Sequence, residues 1–125
     1  MHDKEYLVHE EAKSYEGAVS HCVTNGGKLA EPKSDVANDD IVSLAESNIL
    51  QFSHLWIGID DKSQEGQFEY SSDGSPIVYS NWMSGQPNDY NNQDCVLYYK
   101  QGSYVKWGDE SCSVWVPFIC ERSLG

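Results

Sequence analysis

Between Asp60 and Asp94 the chain carries a dense set of Asp, Asn, Gln, Ser and Glu side chains, and a further carboxylate follows at Asp109. These are hard oxygen donors. Calcium takes about six to eight oxygen ligands at roughly 2.3–2.6 Å, so a site for it must gather several carboxylates and amide oxygens without a compensating cation. This stretch has that inventory. Carboxylates held close repel one another, so the segment is expected to be loose when empty and ordered by the ion that neutralises them. A solvated acidic loop would show the same composition on a chain whose formal charge is −12, and composition alone does not separate the two.

Other chemistries find less support. His2, His9, His21 and His54 are scattered, without a helical pair spacing, so solvated or capping histidines are expected and no zinc site is. There is no G-x-S-x-G elbow, and the cysteines are better used as bridges than as nucleophiles. The Asp60-Asp61 pair has no evident partner to raise one pKa above the other, so glycosidase chemistry is not expected. A binding protein, not an enzyme, is the reading. The excess of acid also makes nucleic acid a poor partner, since phosphate contacts require Lys and Arg.

The four cysteines, Cys22, Cys95, Cys112 and Cys120, include no C-x-x-C pair, which removes zinc-ribbon and thioredoxin-like readings. Disulfides are favoured, and three connectivities are open. The nested one would join Cys22 to Cys120 and Cys95 to Cys112, one long loop and one short; loop-closure entropy makes these worth ~4.7 and ~3 kcal/mol. Such bonds persist in oxidising compartments, which predicts an extracellular, secreted protein. The charged start, Met1-His2-Asp3-Lys4-Glu5, lacks the apolar stretch of a signal peptide, so a leader is expected to have been removed or never present. No apolar run approaches the ~18–20 residues of a membrane span.

Two helices and a series of short strands must position these groups. Glu5 to His9 reads as a strand. Ser14 offers an N-cap, followed by Tyr15, Ala18, Val19 and Cys22 on one helical stripe, which Asn25-Gly26-Gly27 ends. A second helix is predicted from Ser34 to Leu50, with Ala37, Ile41, Leu44, Ala45 and Ile49 on its apolar face. Leu55 to Ile59 suits a buried strand, and further strand signals lie at Gln67 to Tyr70, Ile77 to Tyr79, Val96 to Tyr99, Tyr104 to Trp107 and Pro117 to Glu121. Helices followed by strands predict one α+β domain over residues 1–125 with a mostly antiparallel sheet. The excursion from Asp60 to Asp94 interleaves Phe68, Tyr79 and Trp82 with its polar residues, so it should fold back and pack. Trp56, Trp82 and Trp107 are expected in the core and Trp115 at the surface.

The blocks Trp56-Ile57-Gly58-Ile59, Glu65-Gly66-Gln67-Phe68, Tyr79-Ser80-Asn81-Trp82, Gln86-Pro87-Asn88, Asp94-Cys95-Val96 and Trp107-Gly108-Asp109, with Cys112 before Cys120, resemble in order and spacing a C-type lectin domain of the short form. The similarity covers the whole chain and is closest to the mannose-binding-protein type between Ile57 and Cys112. It implies the C-type lectin-like fold with the nested disulfides. It also implies a loop-ordering calcium at Asp61, Glu65, Asp89, Gln93 and Asp94, and a weaker sugar-site calcium at Gln86, Asn88 and Asp109. In the resembled lectins a sugar hydroxyl meets an acid, an amide and the ion together, and mannose-type members carry E-P-N where galactose-type members carry Q-P-D.

This chain departs from both patterns. Gln86-Pro87-Asn88 is half of each motif, Gln93 replaces an acid, and Gly108 stands where an Asn ligand is usual. An amide accepts hydrogen bonds more weakly than a carboxylate, at ~1 kcal/mol or more per bond, and a site with a single carboxylate should bind calcium at millimolar levels or weaker. The resemblance further implies a cis Gln86-Pro87 bond, which only a proline makes cheap, at ~0.5–1 kcal/mol. Tyr90 matches an aromatic that stacks on galactose, and with Gln86 it favours galactose or N-acetylgalactosamine over mannose. The reading is a calcium-dependent lectin that binds glycans through Gln86, Asn88, Tyr90, Gln93 and Asp109, in the manner of innate glycan recognition, with a homodimer expected on avidity grounds. The alternative is a lectin-like domain with a degenerate site that meets a protein or an ice surface.

Overall fold

The computed structural model describes residues 4–48, 54–64, 66–86, 94–101 and 104–123. Its elements are β1 (Lys4–Lys13), α1 (Tyr15–Thr24), β2 (Lys28–Leu29), α2 (Asp35–Asn48), β3 (His54–Asp60), β4 (Glu69–Tyr70), β5 (Cys95–Gln101), β6 (Tyr104–Glu110) and β7 (Val116–Ser123). The main sheet runs β1-β7-β3-β5-β6, with β2 added to β7 and β4 to β3. Every pairing is antiparallel except β3 with β7, which meet in parallel at Trp56 and Phe118. The α+β class with two helices, a mostly antiparallel sheet and a long irregular stretch is therefore the fold.

Both helices begin as their sequences predict. Ser14 caps α1 by accepting from the Gly17 N–H at 3.2 Å, and Ser34 does the same for α2 through Ala37 at 3.1 Å. Tyr15, Ala18 and Cys22 bury one face of α1. At its far end Gly26 turns the chain at φ 85°, a left-handed conformation that glycine adopts without strain. In α2, Ile41 and Ala45 are buried as expected, but so is Asn38. Its Oδ1 accepts from the Tyr98 hydroxyl at 2.7 Å and from Trp107 Nε1 at 3.1 Å. A polar residue on the inward face is tolerated because these two aromatic donors satisfy it.

Strand β3 is buried from Leu55 to Asp60, so it packs on both faces of the sheet. Leu55, Ile57 and Ile59 join Ile41 and Ala45 of α2 in one cluster. Trp56 joins Tyr15 and Ala18 of α1 with Leu97 and Phe118 in the other. The disulfides are Cys22–Cys120, which ties α1 to β7, and Cys95–Cys112, which ties the start of β5 to the turn after β6. The nested connectivity is thus the one formed. Trp115 is 68% exposed, while Trp56 and Trp107 are fully buried and Trp82 packs against the core.

The strands differ from the sequence reading in several places; β1, for example, continues past His9 to Lys13. Residues Ile77 to Tyr79 form no strand; Glu69 makes a single bridge to Pro76. Asp73 Oδ1 accepts from the N–H and hydroxyl of Ser75, closing a tight turn, and Pro76 has no N–H to continue a ladder. Strand β6 runs past Trp107 to Glu110, so Gly108 and Asp109 lie inside the sheet. The two-residue β2 has too little sequence to show any alternation. No helix among the described residues is long and apolar enough to cross a membrane.

Candidate functional site

Two of the candidate residues, Asp61 and Asp94, stand where the chain leaves β3 and re-enters at β5. Asp61 follows β3 directly, is 2% exposed, and donates its backbone N–H to the Asp94 carbonyl at 2.9 Å. That bond closes the two ends of the excursion. Asp61 Oδ2 accepts from the Gly66 N–H at 2.8 Å, so the acid also holds the first turn of the excursion. Asp94 Oδ1 is buried and accepts no hydrogen bond among the described residues. A buried carboxylate oxygen without a donor costs free energy unless a cation meets it, so this pair fits a hard divalent ion.

Behind them Asp60 accepts from the Tyr15 hydroxyl at 2.8 Å and from the Lys62 N–H at 3.3 Å. Burial pushes its carboxyl upward, with those two hydrogen bonds opposing. The neighbouring turn is anchored from below by the buried Glu31, whose Oε2 accepts from the Ser72 N–H at 3.0 Å and whose Oε1 meets Lys28 Nζ at 3.1 Å. Phe68, Tyr79 and Trp82 fold inward as expected, with Trp82 4.9 Å from Phe68 and 5.4 Å from Trp107, ring centroid to centroid.

The second half of the site is built on β6. The Trp107 N–H donates to the Asn81 carbonyl, and the Met83 N–H donates to the Trp107 carbonyl, each at 2.8 Å. This parallel bridge carries the chain alongside β6. A turn follows, in which the Gln86 N–H donates to the Met83 carbonyl at 2.9 Å and Gly85 takes φ 87°. It delivers Gln86 to Asp109, whose backbone N–H donates to Gln86 Oε1 at 3.2 Å. Asp109 is fully buried. Gln86 and Asp109, distant in sequence, are therefore adjacent in the fold.

Gly108 has a local explanation. A Cβ at this position would lie 1.9 Å from Tyr99 Cε2 and 2.2 Å from Cδ2, so the Tyr99 ring fills the space any side chain would need. The Tyr99 hydroxyl donates to the Asp109 carbonyl at 3.2 Å and contacts Glu110 Oε2 at 3.3 Å. Burial and the Glu110 charge push that phenol up to about 12. Tyr99 and Glu110 are site residues the sequence reading did not single out. Tyr99 pairs with Lys106 across the ladder and Gly108 with Leu97, so the two are diagonal neighbours, close enough for an aromatic ring to reach. A glycine in a strand diagonal to a tyrosine was the available signal.

Of the other predicted site residues, Glu65, Asn88, Asp89, Tyr90 and Gln93 lie outside the described residues, as does the Gln86-Pro87 bond. Among the described residues, Asp61 and Asp94 meet through their backbones, and the Asp109 backbone meets the Gln86 side chain.

A fold of this kind, with two nested disulfides and a carboxylate-rich excursion closed at its base, defines the C-type lectin-like class. Residues 11–122 match the lectin C-type domain family, and the chain belongs to it. The chain is 40% identical over 121 residues to collectin-10 of Gallus gallus, covering 95% of this chain and 42% of the collectin. It is 36% identical over 125 residues to salivary C-type lectin 2 of Aedes albopictus, covering 94% of this chain and 82% of that protein. Among solved structures it is similar to the mouse scavenger receptor C-type lectin carbohydrate-recognition domain, with TM-score 0.85, 28% identity, and coverage of 97% of this chain and 91% of that one. The chain thus spans less than half the length of the collectin it matches.

Proposed function

We propose that this chain is a secreted, calcium-dependent lectin domain that binds terminal galactose or N-acetylgalactosamine. The observation that carries the reading is the Asp61–Asp94 closure, with the buried Asp94 Oδ1 that has no hydrogen-bond donor among the described residues. Asp61, Glu65, Asp89, Gln93 and Asp94 would hold a loop-ordering calcium, which supplies the positive charge that offsets their mutual repulsion. Gln86, Asn88 and Asp109 would hold the weaker ion of the sugar site. Gln86 uses its amide oxygen on the Asp109 N–H, which leaves its NH2 group to donate to a sugar hydroxyl. Tyr90 stacks on the apolar face of the sugar. Similarity to a protein named as a salivary lectin supports secretion. A single module binds sugars weakly, so a homodimer would gain by avidity.

A second reading rests on the same strand. The Tyr99 ring occupies the space a side-chain ligand at Gly108 would need, and the Asp109 N–H bond to Gln86 ties the Gln86 segment to β6. A lectin-like domain that meets a protein or an ice surface through this face would need nothing more. A glycan array read with calcium and with chelator tests both. Signal on galactose-terminated glycans that vanishes in chelator supports the lectin. Signal confined to mannose overturns the galactose preference, chelator-insensitive signal overturns the calcium dependence, and no signal in either buffer favours the second reading.

A further inference from the structure

His9 and His21 are twelve positions apart in sequence, counted from their numbers, yet they meet in the fold. His9 sits on β1 opposite Phe118 of β7, and His21 is in the last turn of α1. Their ring centroids are 4.6 Å apart with planes at 71°. His9 stacks on the buried Phe118 at 4.9 Å, and His21 meets the same ring edge-on at 5.3 Å. Phe118 is thus the floor on which both imidazoles are set. They line one open cavity of about 450 Å³, shared with Glu10, Glu11 and Lys13. β1 is the sheet edge opposite β6, the strand that carries Asp109.

We propose that His9 and His21, with a carboxylate from Glu10 or Glu11, form a second metal site that takes a borderline transition-metal ion such as Zn2+. Imidazole nitrogen suits Zn2+, Ni2+ and Cu2+, whereas calcium prefers oxygen, so the two sites would select different metals. The edge-to-face contact keeps the two imidazoles close enough to reach one ion once their nitrogens turn toward it. Two imidazoles on one ion at ~2.0–2.1 Å, with their bonds ~90–110° apart, place their centroids roughly 4.5–5.2 Å from each other. Among the described residues no three metal-binding side chains stand preassembled, so the third ligand must turn in or be water. The chain gives it room to turn. The β1–β7 register shifts between His9 and Lys13, which takes Glu10 and Glu11 off the regular ladder, and Glu11 forms an ion pair with the flexible Lys13 at 3.3 Å. A bound ion would tie the edge strand to α1.

The test uses the whole chain saturated with calcium, so that the oxygen sites are filled before ZnCl2 is titrated by calorimetry. One Zn2+ per chain should bind with micromolar affinity, and the melting temperature should rise by several degrees. His9→Ala and His21→Gln should each weaken binding at least tenfold while leaving the calcium-dependent shift in melting temperature intact. The helix surface position of His21 makes His21→Gln the safer variant for folding. Co2+ in place of Zn2+ gives a second readout, since imidazole ligation in the parent should produce a visible absorption that Zn2+ bleaches and His21→Gln lacks. Absence of zinc heat in the parent overturns the site, as does zinc binding of equal strength in both variants. Because the readouts are metal heat, cobalt colour and melting with calcium already bound, failure here leaves the lectin reading standing, and failure of glycan binding leaves this site standing.

Discussion

Asp94→Asn separates the cost of the candidate calcium carboxylate from its benefit. The substitution keeps the shape of the side chain and the backbone carbonyl that accepts from Asp61, and it removes the charge beside a buried Oδ1 that has no donor. A buried acceptor left unsatisfied costs ~1–3 kcal/mol, and more when it is charged. In chelator the variant should therefore be the more stable protein, by roughly 1 kcal/mol or more. For a domain of this size that corresponds to a melting temperature about 3–6 °C higher. In calcium the order should reverse. A parent at a hundred times its dissociation constant gains ~2.7 kcal/mol from binding, whereas an amide in place of a charged ligand forfeits most of that gain. Differential scanning calorimetry of both proteins, in chelator and in excess calcium, measures all four corners of the cycle. A variant less stable than the parent in chelator, or one that keeps the full calcium shift, refutes the reasoning.

Three other outcomes follow from particular contacts. Gly108→Asn should destabilise the chain by ~1–3 kcal/mol, because its Cβ would enter the Tyr99 ring; Tyr99→Ala in the same chain should recover most of that loss in denaturant titrations, as a double-mutant cycle. Acidification should weaken the metal-free fold below about pH 6.5, because His9 and His54 are both held below their ordinary value by burial. The unfolded chain then binds more protons than the folded one through that window, so stability falls as pH falls. Melting curves from pH 7.5 downward should show His9→Gln with the shallower decline; equal slopes would remove His9 as a contributor. Asn88→Asp should strengthen galactose binding by restoring a charged acceptor, and unchanged affinity by calorimetry would take Asn88 out of the site.

Much of the scaffold is written in local pattern. The Ser14 cap, the Tyr15–Ala18–Cys22 stripe and the Leu55–Ile59 run each have a near-neighbour cause, and each forms the element its pattern specifies. What escaped the sequence reading depends on contacts between distant segments. Asn38 stands three and seven residues before Ile41 and Ala45, on their stripe, and it can face inward because Tyr98 and Trp107, on two other strands, reach it with donors; its polarity alone would have turned it outward. The excess β-propensity of Ile77 to Tyr79 yields to the Asp73–Ser75 turn and to Pro76. His9 and His21 were read as scattered and solvated, yet β1 and α1 bring them onto one phenylalanine. In the candidate site, the family blocks identified Asp61, Asp94, Gln86 and Asp109, and the fold places them in two touching pairs. The Tyr99 ring that explains Gly108 was visible only once the β5–β6 register fixed it diagonally across the ladder.

The most direct measurement is retention of the protein on immobilised galactose in calcium, followed by a chelator wash with a mannose column run in parallel. The account predicts that the protein binds the galactose column, passes through mannose, and leaves galactose in the chelator fraction. Passage straight through galactose in calcium, or retention that survives the chelator, would contradict it.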